Sequence, residues 1–185
     1  MIQSINIIKP HGKIFWLTGL SGAGKSTLAE SVKIALTEKQ YFTICLDGDE
    51  IRKTLSCDLG FGEAARNENV RRTAEVAKRL ASEGIVVLAA MMSPTKAMRE
   101  TAKNIIGENI FREIFIHASL ETCIERDTKG LYQQALAGKI TGMSGLDTPF
   151  EPPESPFLII DTEKKDENDC KNDLFYAILQ EILET

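Results

Sequence analysis

The sequence has few of the residues that mark disulfide-rich or secreted proteins. It holds four cysteines and two histidines among 185 residues, and no two cysteines form a CxxC pair. This spacing predicts reduced, mostly buried thiols in a cytoplasmic protein. The cysteines are Cys45, Cys57, Cys123 and Cys170. Met1–Ser4 does not begin a basic segment followed by an apolar stretch, so we expect no secretory signal.

Long apolar runs and an excess of basic charge are also missing. No run approaches the roughly 18 residues that span a bilayer. The formal net charge of -5 argues against nucleic acid and membrane surfaces as partners. A local group of amides and cations can still bind phosphate on an acidic protein. The length and ordinary composition predict one soluble domain over residues 1–185.

Short apolar segments alternate with segments of helical periodicity. The predicted strands are 13–17, 42–46, 85–91, 111–117 and 157–161. The predicted helices are 26–40, 62–83, one that begins at Ser93-Pro94, 120–126 and 169–183. The alternation predicts an α/β fold of three layers, in which helices cover both faces of a mainly parallel five-stranded sheet. Ligands are expected beyond the carboxyl ends of the strands.

The segment from about residue 127 to residue 156 interrupts this alternation. It contains four glycines and four prolines, and a stretch this long inside a compact domain is typical of a lid or a binding loop. A disordered linker is the alternative. The apolar side chains in the segment favour a lid, because they can pack on a ligand.

One motif carries the strongest chemical signal. Residues 19–26 read GLSGAGKS, which fits the phosphate-binding pattern G-x-x-x-x-G-K-[ST] between a predicted strand and a predicted helix. The glycines let backbone amides surround the β-phosphate, Lys25 lies between the β- and γ-phosphates, and the Ser26 hydroxyl is a ligand for Mg²⁺. The motif therefore predicts a P-loop protein that binds ATP with Mg²⁺.

A carboxylate after the second strand distinguishes a kinase from other P-loop proteins. Asp47 and Asp49 flank Gly48 there, and Asp47 can take the proton of an acceptor hydroxyl or orient it through Mg²⁺. A plain Asp-Gly turn is the alternative. The third predicted strand ends without an acidic residue, which strengthens the case for Asp47 as the catalytic and metal-linked carboxylate.

The predicted helix 62–83 carries a second polar group. Arg66 and Asn69 are three residues apart and share a face, where they can hold one anion. The spacing alone favours the alternative, a basic surface patch in which Arg66, Arg71 and Arg72 pair with Glu63, Glu68 and Glu75.

Seven motifs resemble the adenosine 5′-phosphosulfate (APS) kinase family between about Lys13 and Asp161. They are Gly19–Thr27 (GLSGAGKST), Leu46–Arg52 (LDGDEIR), Asp58–Gly62 (DLGFG), Arg66–Arg72 (RNENVRR), Ser93-Pro94, Arg126–Tyr132 (RDTKGLY) and Gly145–Pro153 (GLDTPFEPP). The resemblance implies a P-loop kinase fold and transfer of the γ-phosphoryl group of ATP to the ribose 3′-hydroxyl of APS, an alcohol acceptor. The product is 3′-phosphoadenosine 5′-phosphosulfate (PAPS), which serves sulfate assimilation. Members of the family often form homodimers.

The resemblance also implies roles for single residues. Lys25, Asp47 and Ser93 are implied to be catalytic, with Ser26 and Asp47 on the metal. The ATP-binding set is Gly19, Ser21, Gly22, Ala23, Gly24, Lys25, Ser26, Thr27 and Arg126. The acceptor-binding set is Asp47, Asp49, Arg52, Phe61, Arg66, Asn69, Lys129, Leu131 and Met143. For Ser93 the resemblance suggests phosphorylation, whereas its place before Pro94 favours a helix N-cap.

The chain departs from the family pattern mainly around the acceptor. Leu136 and Thr141 replace an arginine and a lysine that are usual in the lid, and Met143 replaces a phenylalanine that packs on the adenine of APS. Thr95, Lys96 and Met98 also differ from the family. The ATP-binding part is unchanged.

Three functions follow from this pattern. The first is APS kinase. The second is a kinase for a ribose hydroxyl of another modified nucleotide, such as cytidine diphosphoramidate. The third, a nucleotide-binding subunit without catalysis, would show the loss of Lys25, Ser26 or Asp47, and all three are present.

Overall fold

A computed structural model describes residues 12–184, in which five strands alternate with seven helices. The strands are β1 (Ile14–Thr18), β2 (Thr43–Asp47), β3 (Val86–Ala90), β4 (Phe111–His117) and β5 (Leu158–Asp161). The helices are α1 (Lys25–Glu38), α2 (Gly48–Lys53), α3 (Glu63–Ser82), α4 (Lys96–Ile106), α5 (Leu120–Arg126), α6 (Leu131–Leu136) and α7 (Glu167–Leu183). The prediction made for Met1–Ser4 lies outside the described residues.

The strands form one sheet in the order β2-β3-β1-β4-β5, and every neighbouring pair is parallel. The predicted α/β fold is therefore confirmed, and each predicted strand differs from the observed one by at most one residue at either end. Because all five strands run in the same direction, their carboxyl ends lie along one edge of the sheet. The loops that follow β1, β2 and β3 meet there.

Two apolar cores flank the sheet. On one face, Phe15, Leu17 and Ile114 pack with α1 and α7. On the other face, Ile14 and Trp16 pack with α3 and α4. Side chains of a strand alternate between the two faces, so the fully buried β1 contributes to both cores. This burial on both faces fixes the end of β1, where the glycine-rich loop begins.

Three local features differ from the sequence predictions or were not predicted. The helices α2 and α6 were missed, because at six residues each they are too short for a clear periodicity. The prediction that Ser93 caps a helix is wrong. The helix α4 begins at Lys96, and the Thr95 hydroxyl accepts the hydrogen bond from the Met98 backbone N–H at 3.3 Å.

The helices of the described part of the chain do not include one long and apolar enough to cross a membrane.

Candidate active site

The loop between β1 and α1 has the backbone of a phosphate cradle. Gly22 and Gly24 have φ angles of 79° and 95°, a region that side chains with a Cβ rarely occupy. A Cβ at Gly22 would also lie 3.1 Å from the Cys123 carbonyl oxygen. The sequence therefore has glycine where the chain turns tightly, and α1 begins directly afterwards at Lys25. The amides of this loop and the N-terminus of α1 favour an anion.

Lys25 is held inside this loop. Its ammonium donates to the Gly19 and Leu20 carbonyl oxygens at 2.9 and 2.7 Å. Burial of the ammonium, with a smaller contribution from the nearby charge of Lys129, lowers the pKa of Lys25 from 10.5 to about 8. The cation is thus oriented by the loop before any phosphate arrives.

Ser26 and Asp47 meet at the mouth of the loop. Asp47 ends β2 and caps α2, so its Oδ1 accepts from the backbone N–H groups of Asp49 at 2.8 Å and Glu50 at 3.4 Å. Its Oδ2 accepts a short hydrogen bond from the Ser26 hydroxyl. A hydroxyl and a carboxylate that lie in contact offer the oxygen ligands that Mg²⁺ prefers.

A cavity of about 490 Å³ opens over these groups. It brings together most of the residues that the sequence singled out for ATP and acceptor. Its lining includes Ser21, Gly22, Gly24, Lys25, Ser26, Thr27, Asp47, Asp49, Arg52, Phe61, Arg66, Asn69, Lys129, Leu131 and Met143. Met92 also lines the cavity, in the segment Met92–Pro94 that follows the third strand, where ligands are expected. Ser144 lines it as well and was not among the predicted site residues.

Two predicted acceptor residues form a flat platform at the cavity. The side chain of Phe61 is 72% exposed, and the Arg52 guanidinium carbon lies 5.0 Å from its ring centroid. Arg52 also donates to the Gly60 carbonyl oxygen at 2.7 Å. A ring with one face held by a cation and much of its surface free can stack on a nucleobase. Met143 is nearly buried and lines the same cavity.

Arg66 and Asn69 face the cavity from α3 and differ in how their polar atoms are satisfied. Arg66 donates to the Gly142 carbonyl oxygen at 2.5 Å and to the Ser144 hydroxyl at 3.1 Å. Asn69 is buried, and its Oδ1 has no hydrogen-bond partner among residues 12–184. An unpartnered buried carbonyl costs stability unless a ligand donates to it. In contrast, Arg71 and Arg72 pair with acidic residues on the surface.

The start of the predicted lid crosses the cavity. Lys129 forms a close ion pair with Asp49 of α2. Arg126, at the end of α5, does not line the cavity. Its guanidinium donates to the Thr162 carbonyl oxygen at 2.7 Å and to the Thr162 hydroxyl at 3.0 Å. Its guanidinium also donates to the Gly22 carbonyl oxygen of the phosphate loop at 3.4 Å.

Ser93 is placed in the interior and not in the lining of the cavity. Its side chain is fully buried. The Ser93 hydroxyl accepts from the Trp16 indole N–H at 3.1 Å and donates to the Thr18 hydroxyl at 3.1 Å.

Two other predicted site residues, Gly19 and Ala23, also lie outside the lining of the cavity, as parts of the phosphate-loop backbone. Of the unusual lid residues, Leu136 is exposed away from the cavity, whereas Thr141 lines it.

The parallel sheet and the glycine-rich loop between β1 and α1 define the class of P-loop nucleotide-binding proteins. The sequence profile of adenylylsulphate kinase matches residues 11–161, and the chain belongs to this family. It is therefore a kinase whose acceptor group is an alcohol.

Relatives with known names support this assignment along most of the chain. The adenylyl-sulfate kinase of Prochlorococcus marinus is 47% identical over 167 residues, which cover 90% of this chain and 83% of the relative. The probable adenylyl-sulfate kinase of Bacillus subtilis is 42% identical, with coverage of 94% and 88%. The solved structure of the Mycobacterium tuberculosis APS kinase in complex with AMPPNP and APS is similar at a TM-score of 0.85. It is 39% identical, with coverage of 95% and 99%.

Proposed function

We propose that the protein transfers the γ-phosphoryl group of ATP to the ribose 3′-hydroxyl of APS, with PAPS and ADP as products. One observation carries the proposal. The phosphate loop with Ser26 and Asp47, and the platform of Phe61 with Arg66 and Asn69, open into one cavity. A donor on the loop and an acceptor on the platform would meet there, as in-line transfer requires.

The donor groups divide the work of transfer between them. Lys25 and the loop amides would hold the phosphates and offset the charge that develops on the transferred group. Ser26 and Asp47 would hold Mg²⁺, which when bound neutralises phosphate charge. Asp47 would also orient the 3′-hydroxyl or take its proton, because its carboxylate is held at the end of β2 by two backbone amides.

The acceptor groups would bind APS by shape and charge. The exposed face of the Phe61 ring suits the adenine, and Met143 supports the base from within the same cavity. The cations Arg52, Arg66 and Lys129 suit the phosphosulfate. Asn69 Oδ1 accepts no hydrogen bond from described residues, and an N–H or O–H of the nucleotide would satisfy it.

Residues 127–156 would act as the lid. Its members Lys129, Leu131 and Met143 line the cavity, so an ordered lid would exclude water and reduce ATP hydrolysis.

We also propose a single cytoplasmic domain that pairs as a homodimer, in line with the family resemblance. Light scattering of the purified protein would measure the oligomeric state.

A second acceptor class deserves a direct comparison. Met143 and Thr141 both line the cavity where the family has an aromatic residue and a lysine, which favours an acceptor other than APS, such as cytidine diphosphoramidate. The experiment measures ADP release with APS and with cytidine acceptors at matched concentrations. Preference for APS supports the proposed function, and preference for a cytidine acceptor replaces it. If none of the acceptors in the panel leads to ADP release, the result would favour a nucleotide-binding subunit without catalysis.

A further inference from the structure

A buried polar cluster lies beside the cavity, on the face of the sheet that α4 covers. We call it the Ser93 cluster, and it draws on β1, the loop after β3, α4 and β4. Its members are Trp16, Thr18, Ser93, Arg99 and Glu113. Trp16, Thr18 and Ser93 are fully buried, and Arg99 is 5% exposed. Residues of the cluster do not line the cavity, so the proposed chemistry leaves this buried charge unexplained.

Arg99 connects two separate elements within the cluster. Its Nε lies 2.7 Å from Glu113 Oε1 on β4, an ion pair in which these two atoms do not form a hydrogen bond. Its Nη1 donates to the Ser93 carbonyl oxygen at 3.1 Å. A buried guanidinium is costly unless it is paired and hydrogen-bonded. The planar fork of an arginine satisfies both demands at once, which a single ammonium does less well.

The main chain at Ser93 leads to two borders of the cavity. Met92, the preceding residue, lines the cavity. The carbonyl oxygen of Pro94, the following residue, accepts a hydrogen bond from the Glu151 N–H at 2.8 Å, near the end of the predicted lid. The position of Ser93 therefore bears on the cavity wall and on the lid.

The phosphate loop has support of its own. Thr18 precedes Gly19 and exchanges hydrogen bonds with Ser93, but it is also paired with Phe115 in the sheet. A loss of the Arg99 contact would thus displace the segment Met92–Pro94 more than the phosphate loop.

We propose that Arg99 is a positioning residue for phosphoryl transfer: by holding the Ser93 carbonyl oxygen it fixes Met92 and Pro94 at the edge of the cavity. This inference rests on the proposed function for its kinetic readout. It assigns Ser93 a role inside the protein, as the group through which Arg99 acts.

The main test is Arg99→Lys, which keeps a cation for Glu113 and removes the fork. We expect kcat to fall about tenfold. This loss is smaller than the roughly hundredfold loss that a 1 Å misplacement can cause, because the segment Met92–Pro94 should shift only in part. The KM for ATP should stay within about twofold, because the phosphate loop is retained. Arg99→Met should lower kcat further, and if it fails to fold, Arg99→Lys decides the matter alone.

A second readout does not depend on turnover. Trp16 is the only tryptophan of the sequence, and its indole N–H donates to the Ser93 hydroxyl. Its fluorescence therefore reports the position of Ser93, and we expect the emission maximum to shift in Arg99→Lys. Arg79→Met is the matched control, since Arg79 is an exposed partner of Glu83 on α3.

The outcomes separate this inference from the proposed function. A wild-type kcat in Arg99→Lys, or a loss of kcat with unchanged Trp16 emission, would overturn the positioning role. An equal effect of Arg79→Met would overturn it as well. If the wild-type protein does not phosphorylate APS, the proposed function fails. Trp16 emission, recorded with and without a non-hydrolysable ATP analogue, then still shows whether Arg99 holds Ser93.

Discussion

The two ends of the cavity are built in different ways. The phosphate end comes from one stretch of chain, Gly19–Ser26, joined by Asp47, and Lys25 is held by carbonyl groups of the same loop. The acceptor end is assembled from segments far apart in sequence. Arg66 of α3, for example, donates to Ser144, which is 78 residues away. The proposed donor site is thus encoded locally, whereas the proposed acceptor site depends on how the lid docks on α3.

The largest effect should come from the residue where the two ends meet. Asp47→Ala removes the carboxylate that contacts Ser26 and faces the acceptor side. We expect kcat to fall by a factor of about 10² to 10⁴, the usual contribution of a positioned acid or base. The KM for ATP should change far less, because the loop and Lys25 are retained. Steady-state kinetics with ATP and APS measure both.

The control for this prediction concerns stability. Asp47 also caps α2, and loss of an N-cap costs about 1 kcal/mol, so thermal melting must confirm that the variant is folded. Asp173→Ala, at an exposed ion pair with Lys165, is the matched substitution. A mainly weakened affinity for ATP would place Asp47 at the donor end alone.

The sequence predicted the fold because its signals are local and strong. The strands are short apolar runs, and the helix predicted at 62–83 occupies Glu63–Ser82. The helices α2 and α6 were missed, because six residues are too few for a clear periodicity. The short ion pair of Lys129 with Asp49 joins the loop before α6 to α2 across 80 residues, a contact that sequence spacing does not reveal.

The same distinction holds at the site. Gly19–Ser26 could be recognised because its spacing reflects the size of a phosphate group. The buried network around Ser93 could not, because it depends on Arg99 and Glu113 from two other elements. No pattern in the sequence predicted that Arg66 would contact Gly142 and Ser144. Side-chain pairs formed by packing between distant segments carry no fixed spacing.

Asn69 tests the acceptor end without the phosphate end. Asn69→Leu removes the buried Oδ1 that has no hydrogen-bond partner in the described structure. We expect the KM for APS to rise about tenfold, which corresponds to one hydrogen bond of about 1.4 kcal/mol. The KM for ATP should be unchanged. The melting temperature should not fall, because an unsatisfied buried group is replaced by an apolar side chain of similar size.

The combination of these results is what identifies a ligand contact. Asn104→Leu, at an exposed position of α4, serves as the matched substitution and should leave both KM values unchanged. A destabilised Asn69→Leu protein with an unaltered KM for APS would mean that the amide supports the fold and does not bind the acceptor.

A pH titration tests whether the two ends are electrostatically coupled. Burial first, and the charge of Lys129 second, lower the pKa of Lys25 to about 8. Below about pH 8 Lys25 is charged and ATP affinity should be constant. Above about pH 8, Lys25 of the free protein loses its proton and with it the positive charge that binds the phosphates. The Kd for ATP should therefore rise, by at most about tenfold per pH unit. Calorimetry with a non-hydrolysable analogue measures this profile.

Lys129→Met sharpens that titration. Removal of the second cation should raise the pKa of Lys25, so the loss of ATP affinity should begin at a higher pH than in the wild-type protein. Lys165→Met, at an exposed ion pair with Asp173 of α7, should leave the pH profile unchanged. Identical profiles for Lys129→Met and the wild type would show that the lid does not influence the phosphate end.

The smallest effect is expected at Met143, on the side of the cavity proposed to hold the base of the acceptor. Met143→Phe places an aromatic ring where Met143 lines the cavity with Phe61, and a stacked aromatic pair contributes about 0.5–1.5 kcal/mol beyond burial. The KM for APS should therefore fall about threefold, with a smaller gain for a cytidine acceptor, whose base offers less surface for stacking. Leu136→Phe, at an exposed lid position outside the cavity, should change neither value. Because Met143 is nearly buried, a melting curve must accompany the kinetics. An unchanged KM in a stable Met143→Phe protein would place this side chain away from the adenine, and acceptor choice would then depend on Phe61 and the α3 residues alone.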